Sequence, residues 1–234
     1  MNCRGFVFVC VSVFVLGCDS KKENVGDVIV GKEWNSSRSI IQIAVSKPII
    51  QGVGFVPKSS TEGVDYRAVE GDALTKYYNT KLMFFPTGDG VFNTDLTLSN
   101  TLVPSSELVS NEAQGEATLS VDFRITASFS WEVAAGSVYI KVGDVMMKKQ
   151  GPILINSRNI LDVLQYKAPE EQMEAIKRMV QSLDDTVINI AKESRAGFPK
   201  GYTVKGRVES FTSNSIKMVL AEPSKEGVPY ELTR

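Results

Sequence analysis

The chain has 234 residues, and its 26 basic and 27 acidic side chains leave a net charge of −1 at pH 7. This balance provides no large basic surface, which argues against a nucleic-acid partner. The sequence contains no histidine, which excludes Ser-His-Asp and Cys-His catalysis and most zinc sites. We therefore expect no enzyme activity, no cofactor and no metal.

The first element is an apolar run, FVFVCVSVFVLGC, from Phe6 to Cys18. A bilayer-spanning helix needs about 20 apolar residues, so this run is too short, and the basic Arg4 before it is typical of a secretory signal. The run ends Val15-Leu16-Gly17-Cys18, which resembles the lipobox of bacterial lipoproteins. In that family the cysteine receives a diacylglycerol and becomes the first residue after cleavage.

This resemblance implies that residues 1–17 are a signal peptide and that Cys18 is the lipidation site, palmitate included. Two or three acyl chains anchor a protein stably, whereas one holds it only marginally. In enterobacterial lipoproteins an aspartate after the cysteine retains the protein in the inner membrane. Asp19 therefore predicts a lipid anchor on the periplasmic side of the inner membrane rather than in the outer membrane.

The polar segment at residues 18–27 is predicted to be a flexible tether, and residues 28–234 a single domain. Removal of the leader takes away one basic residue, so 25 basic and 27 acidic residues remain, a net charge of −2. The other two cysteines, Cys3 and Cys10, leave with the leader. The domain therefore has neither a disulfide nor a free thiol.

Residues 28–142 show mainly the period-two pattern of β-strands. The predicted strand segments are RSIIQIAV (38–45), GVGFV (52–56), KLMFFPTGDGVFNTDLTLS (81–99), GEATLSVDFRI (115–125), ASFSWEVAA (127–135) and SVYIKV (137–142). In the second half of 81–99, Phe92, Leu96 and Leu98 are predicted to face one side of the strand. The residues predicted to face the other side are Val91, Asn93, Asp95 and Thr97. Several short strands with regular turn signals favour an antiparallel barrel or sandwich.

The period then changes to that of an amphipathic helix, at about 169–195. Its apolar stripe includes Met173, Met179 and Leu183. Such a stripe packs against the sheet of its own domain or forms an adaptable face for a partner; we favour the first. The adjacent acids Asp184 and Asp185 point about 100° apart on a helix, which argues for a solvated face rather than an acid/base pair.

Three strands are predicted after this helix, at 201–211, 216–221 and 228–234, and a terminal meander of this kind helps to close a barrel. With Trp34, LMFFPTGDGVF, FSWEV and SVYIKV, this meander resembles the lipocalin-like lipoproteins of bacteria. The resemblance covers about half of the mature chain. It implies an up-and-down β-barrel, and with it a pocket for a small apolar ligand.

Three functions follow from these features. We favour a non-catalytic binding protein for an envelope or secreted protein, of the immunity, inhibitor or chaperone-like kind. The alternative is a lipocalin-like carrier of a small apolar ligand, and a carboxylate-dependent glycan hydrolase ranks third. Aromatic side chains are the candidate contacts with a partner or ligand: Trp34, Phe55, Tyr66, Tyr77, Tyr78 and Trp131.

Overall fold

A computed structural model of the protein describes residues 24–36, 38–41, 66–68, 74–104, 117–166, 168–196, 198, 201–222 and 225–234. The strands are β1 (Glu33–Ser36), β2 (Tyr66–Ala68), β3 (Leu74–Phe84), β4 (Asp89–Pro104), β5 (Ala117–Ala134), β6 (Ser137–Ile155), β7 (Arg158–Asn159), β8 (Thr203–Thr212), β9 (Ser215–Glu222) and β10 (Lys225–Thr233). The helices are α1 (Val25–Ile29), α2 (Ile160–Gln165) and α3 (Met173–Ala196), and a 3₁₀ turn (Glu170–Gln172) precedes α3.

Eight of the strands close into an antiparallel barrel. They follow one another in the order β4, β3, β1, β10, β9, β8, β6 and β5, and β5 pairs again with β4. The short strands β2 and β7 extend the sheet beside β4 and β6. The predicted mainly-β fold, with a long helix before a C-terminal meander of β8, β9 and β10, is confirmed.

Alternation along each strand explains why one face of the sheet is buried. In β5 every second side chain from Leu119 to Phe129 points inward and is at most 3% exposed. In β6 the inward positions change parity at Gly143 and Asp144, because a bulge there places two residues opposite one. The Ser128 hydroxyl accepts a 3.2 Å hydrogen bond from the Asp144 amide at this bulge.

The inside of the barrel is occupied by the protein's own large side chains. Phe92, Leu96 and Leu98 are at most 1% exposed, so the predicted inward face of this strand is confirmed. The largest fully buried side chains are Trp34, Phe84, Phe92, Phe123, Ile29, Ile41, Leu82, Leu96 and Leu98. Burial of a large apolar side chain contributes about 1.5–3 kcal/mol, and these nine are the largest fully buried members of the core in the described part of the chain.

Helix α1 lies at the end of the barrel that holds the β3–β4 and β5–β6 turns. Its residue Ile29 is fully buried, and its carbonyl accepts a 2.9 Å hydrogen bond from the Trp34 indole nitrogen. The Asn24 side chain caps the helix by accepting from the Gly26 amide at 3.1 Å. The predicted tether overlaps α1 at residues 25–27, and Val25 is only 5% exposed, so these three residues belong to the folded domain.

Helix α3 packs against β6 and α2 through its apolar stripe. Leu183, Val187 and Ala191 are buried, which supports the interpretation that the stripe faces its own domain. Asp184 Oδ1 lies 2.9 Å from Lys149 Nζ of β6. The two groups form an ion pair, but the angle between them is outside the range of a hydrogen bond. None of the helices over the described residues has the length and hydropathy to cross a bilayer.

Candidate functional site

Four side chains form a row across the outer face of the barrel. Tyr78 of β3 lies directly opposite Asp95 of β4, which lies opposite Arg124 of β5, which lies opposite Lys148 of β6. Cross-strand neighbours share one face of a sheet and approach within about 5 Å. The row therefore combines an aromatic ring, a carboxylate and two cations on one outer surface.

The Asp95 carboxylate is held in place by three hydrogen bonds from two residues. Arg124 donates from Nε to Oδ1 at 2.9 Å and from Nη2 to Oδ2 at 3.3 Å. Asn79 Nδ2 donates to Oδ2 at 3.0 Å, from a residue with φ of 50° at a bulge in β3. The Arg124 hydrogen bonds are the main reason why the pKa of Asp95 is lowered, against the opposing effect of burial.

Tyr78 lies half-buried at one end of the row. Burial raises the pKa of its phenol, and the nearby carboxylates of Asp122 and Asp95 raise it further, against a hydrogen bond with Thr97 that lowers it. Thr97 also donates a 2.6 Å hydrogen bond to Asp122. The phenol therefore stays neutral at physiological pH, and it is held by hydrogen bonds with Thr97 and Asp122.

Both tryptophans that were predicted as contacts have structural roles. Trp34 is fully buried in the core, out of reach of a partner at the surface. Trp131 is partly exposed, but its indole nitrogen donates to the carbonyls of Phe85 and Asp89, at 3.2 and 3.0 Å. Its ring packs edge-on against Phe84 with 5.4 Å between ring centres, so it fixes the β3–β4 turn to β5.

The remaining predicted residues are separated from one another. Tyr77 packs against the core and is only partly exposed, whereas its neighbour Tyr78 belongs to the outer row. The backbone of Tyr66, in β2, pairs with Pro104 of β4. Phe55, and with it Cys18 and Asp19 of the predicted lipidation and sorting signals, lies outside the described residues.

The outer row ends at a strand edge. Strand β6 pairs with β8 only from Ser137 to Lys141, and one further backbone bond, 2.8 Å long, joins the Val142 amide to the Tyr202 carbonyl. Beyond it, β7 pairs with β6 at Leu154 and Ile155. Between these two points, residues 143–153 have no strand partner on this side within the described part of the chain.

A shallow groove of about 400 Å³ lies at the beginning of this edge. Ser128 and Ser130 of β5 line it together with Lys141 and Gly143 of β6. Its volume is in the range of small-molecule sites, about 300–1,000 Å³, but most of its lining residues are polar or glycine. We interpret it as the continuation of the outer surface beside β6.

Three members of the row, Asp95, Arg124 and Lys148, were not among the predicted site residues. The alternation of β4 did place Asp95 on the outer face. The register that aligns these four residues on β3, β4, β5 and β6 could not be predicted from the sequence. It depends on turns and bulges that are distant from the row. Among the described residues, no group of three or more acidic, cysteine or histidine side chains could hold a metal ion.

Comparison of the sequence with protein-family models gave no match. Comparison with curated proteins gave none either.

Proposed function

We propose that this protein is a lipid-anchored, non-catalytic binding protein of the bacterial envelope, and that its partner is another protein. The observation that carries the proposal is the filled barrel. Trp34, Phe92 and Phe123 are fully buried in its interior, at the place where a lipocalin-like carrier would hold its ligand. Binding on this domain therefore belongs to its outer surface.

The outer row has the composition of a protein-binding surface. Tyrosine and arginine are enriched among the residues that dominate binding energies, and the row contains Tyr78 and Arg124. Arg124 is oriented by Asp95 before any partner arrives, which lowers the entropy lost on binding. Such a surface suits an immunity protein, an inhibitor or a chaperone-like protein, which recognises a partner without acting on it.

The absence of catalysis is part of the proposal. Transfer reactions at neutral pH usually need a base whose pKa lies near the operating pH, and the sequence provides no histidine. Within the row, the Arg124 guanidinium lowers the pKa of Asp95, whereas a general acid needs a raised one. Asp95 is therefore suited to holding Arg124 in place rather than to proton transfer.

The proposed anchor is Cys18, and it would hold the domain close to the membrane. Because Val25 is already part of α1, the tether is reduced to residues 19–24. At about 3.5 Å per residue, the seven steps from Cys18 to Val25 span at most about 25 Å. A partner would accordingly be an envelope protein, or a secreted protein that passes near the inner membrane.

Metabolic labelling with a clickable palmitate tests the anchor. The wild-type protein should be labelled and Cys18→Ser should not, because the thioether to the lipid needs the thiol. On a density gradient the wild type should sediment with inner-membrane markers. Equal labelling of both proteins would refute lipidation, and sedimentation with outer-membrane porins would refute the sorting role of Asp19.

The partner is tested by photo-crosslinking in cells. A photoreactive amino acid at Lys76, exposed on β3 one row away from Tyr78 and Arg124, should give an adduct of one defined size. The matched control places the same amino acid at Ser213, in the exposed β8–β9 turn. No adduct from position 76, or identical adducts from both positions, would contradict binding through the outer row.

A further inference from the structure

The free edge of β6 has properties that a closed barrel normally lacks. In an antiparallel pair, alternate residues direct their N–H and C=O groups away from the partner strand. Along residues 143–153 these groups therefore point to the side where the described chain has no strand. Two carbonyls of this stretch have a local donor, since Lys149 Nζ donates to the Gly151 carbonyl at 2.7 Å and Gln150 Nε2 donates to the Lys148 carbonyl at 3.4 Å. The others form a template for one more strand.

The usable length of this edge is set by irregularities at its two ends. The bulge at Gly143 and Asp144 interrupts the pairing at one end. At the other, Gly151 has φ of 66°, and Pro152 cannot donate a backbone hydrogen bond. Six residues remain, 145–150, about 20 Å of extended chain. That length fits one short strand.

The charges along the edge disfavour a second copy of this chain as the occupant. Lys148 and Lys149 are the fourth and fifth residues of the six-residue stretch. In two copies paired antiparallel over the whole stretch, Lys148 of one copy lies opposite Met147 and diagonal to Lys149 of the other, so like charges come close together and oppose the pairing. Edge lysines are a common protection against such self-pairing. These charges therefore favour a different strand as the occupant.

The same charges favour an acidic occupant. Lys149 is in contact with Asp184 of α3, and Arg124 is paired with Asp95. Lys148 is exposed and forms no ion pair with any described residue, so its charge is available at the end of the outer row. Beside it Met146 is 60% exposed and offers an adaptable apolar contact.

We infer that the edge of β6 at residues 145–150 binds an extended, acidic segment of a partner protein as an additional strand. The inference rests on the proposed function and specifies how the partner docks. Backbone hydrogen bonds along the edge provide affinity, as in other complexes formed by strand addition. A carboxylate opposite Lys148 extends the outer row by one position and provides specificity.

The test uses the full-length protein in detergent and two acetylated, amidated hexapeptides, in which valine alternates with glutamate or with lysine. Hydrogen–deuterium exchange of residues 145–150 should slow with the glutamate peptide and remain unchanged in the core of β5. The glutamate peptide should bind about tenfold more tightly than the lysine peptide, because like charges suppress the wrong partner. Lys148→Glu should reverse this preference, whereas Lys217→Glu, an exposed position on β9, should leave it unchanged.

Unchanged exchange at residues 145–150 with the glutamate peptide, or equal affinity for both peptides, would overturn the inference. The results that contradict this inference differ from those that contradict the proposed function. If a partner crosslinks from position 76 and leaves the exchange of the edge unchanged, the partner docks elsewhere on the outer face. If the glutamate peptide protects the edge but no partner crosslinks in cells, strand addition stands and the proposed protein partner does not.

Discussion

Asp95 illustrates how an outward-facing residue can be nearly buried on a β-barrel. Its side chain is 12% exposed because Arg124 covers it, while the Arg124 side chain itself remains 55% exposed. Alternation in the sequence predicted that Asp95 points outward, and it does. The pairing with Arg124, 29 positions away, could not be predicted, because nothing local specifies the β4–β5 register.

Replacement of Asp95 by asparagine should destabilise the protein by about 1 kcal/mol at pH 7. Charge-assisted hydrogen bonds contribute roughly 1.5–3 kcal/mol when buried, and water around the exposed Arg124 reduces this. Because the pKa of Asp95 is lowered in the folded state, its contribution is complete above the unfolded aspartate pKa of about 4. This stabilisation is lost as the pH falls through the pKa of Asp95 in the folded state, which is lower than its pKa in the unfolded chain.

Urea unfolding at pH 7, 5 and 3 checks this expectation. The difference between wild type and Asp95→Asn should be the same at pH 7 and 5 and should narrow at pH 3. Asp185→Asn, an exposed position on α3, is the matched control and should change stability little at any of the three. A difference that stays constant down to pH 3 would show that the lost interaction does not depend on the carboxylate charge.

Gly90 is a second residue whose structural role could not be predicted from the sequence. The segment TGDG predicts a hairpin turn in which Gly88, Asp89 and Gly90 adopt positive φ. Gly88 does, with φ of 85°, whereas Asp89 and Gly90 do not. Gly90 instead begins the regular part of β4, where an added Cβ would lie 2.2 Å from the Phe129 ring. The glycine is required by packing across two strands, which no local turn pattern can reveal.

At the scale of elements, α3 was the most predictable part of the chain. The pattern predicted a helix at 169–195, and the structure has a 3₁₀ turn followed by α3, which ends at Ala196. A 3.6-residue period over so long a segment has few alternative explanations. The ion pair between Asp184 and Lys149 was not predictable, because it depends on which strand the helix covers.

Leu183→Asp should destabilise the protein by at least about 3 kcal/mol. Leu183 is 4% exposed on the buried side of α3, and the substitution both removes apolar packing and places a charge in an apolar interface. Thermal unfolding followed by circular dichroism measures the effect. Ile188→Asp, at a position 38% exposed on the same helix, is the control and should cost much less. Equal losses at both positions would mean that α3 does not pack through Leu183.

At the scale of the whole molecule, the fold and the binding mode were predictable to different degrees. Alternating strands and a terminal meander predicted an antiparallel barrel or sandwich, and the structure is a barrel. Whether a barrel is hollow depends on how the side chains of opposite strands pack against one another in its interior. The sequence alone does not show which strands lie opposite each other. Trp34, a predicted contact, is instead fully buried in the core. The interior is therefore the clearest distinction between a carrier and a surface-binding protein.

We expect the wild-type protein to show no saturable binding of apolar ligands. Its interior is filled by fully buried side chains such as Phe92 and Phe123, and close-packed cores leave few voids larger than a water molecule. The assay is titration with a fluorescent fatty acid, and with benzene followed by NMR. Phe123→Ala and Leu96→Ala provide positive controls, because removal of a large core side chain leaves an apolar cavity that can admit benzene.

The two control variants show whether the assay can detect a ligand bound inside the barrel. Phe123→Ala should lose about 3–5 kcal/mol of stability and Leu96→Ala about 2–5 kcal/mol, so circular dichroism first establishes which variant remains folded. A folded variant that binds benzene, beside a wild type that binds neither ligand, would locate recognition on the outside of the barrel. Saturable one-to-one binding of the fatty acid by the wild type would instead require the interior to open, and would make the carrier the better proposal.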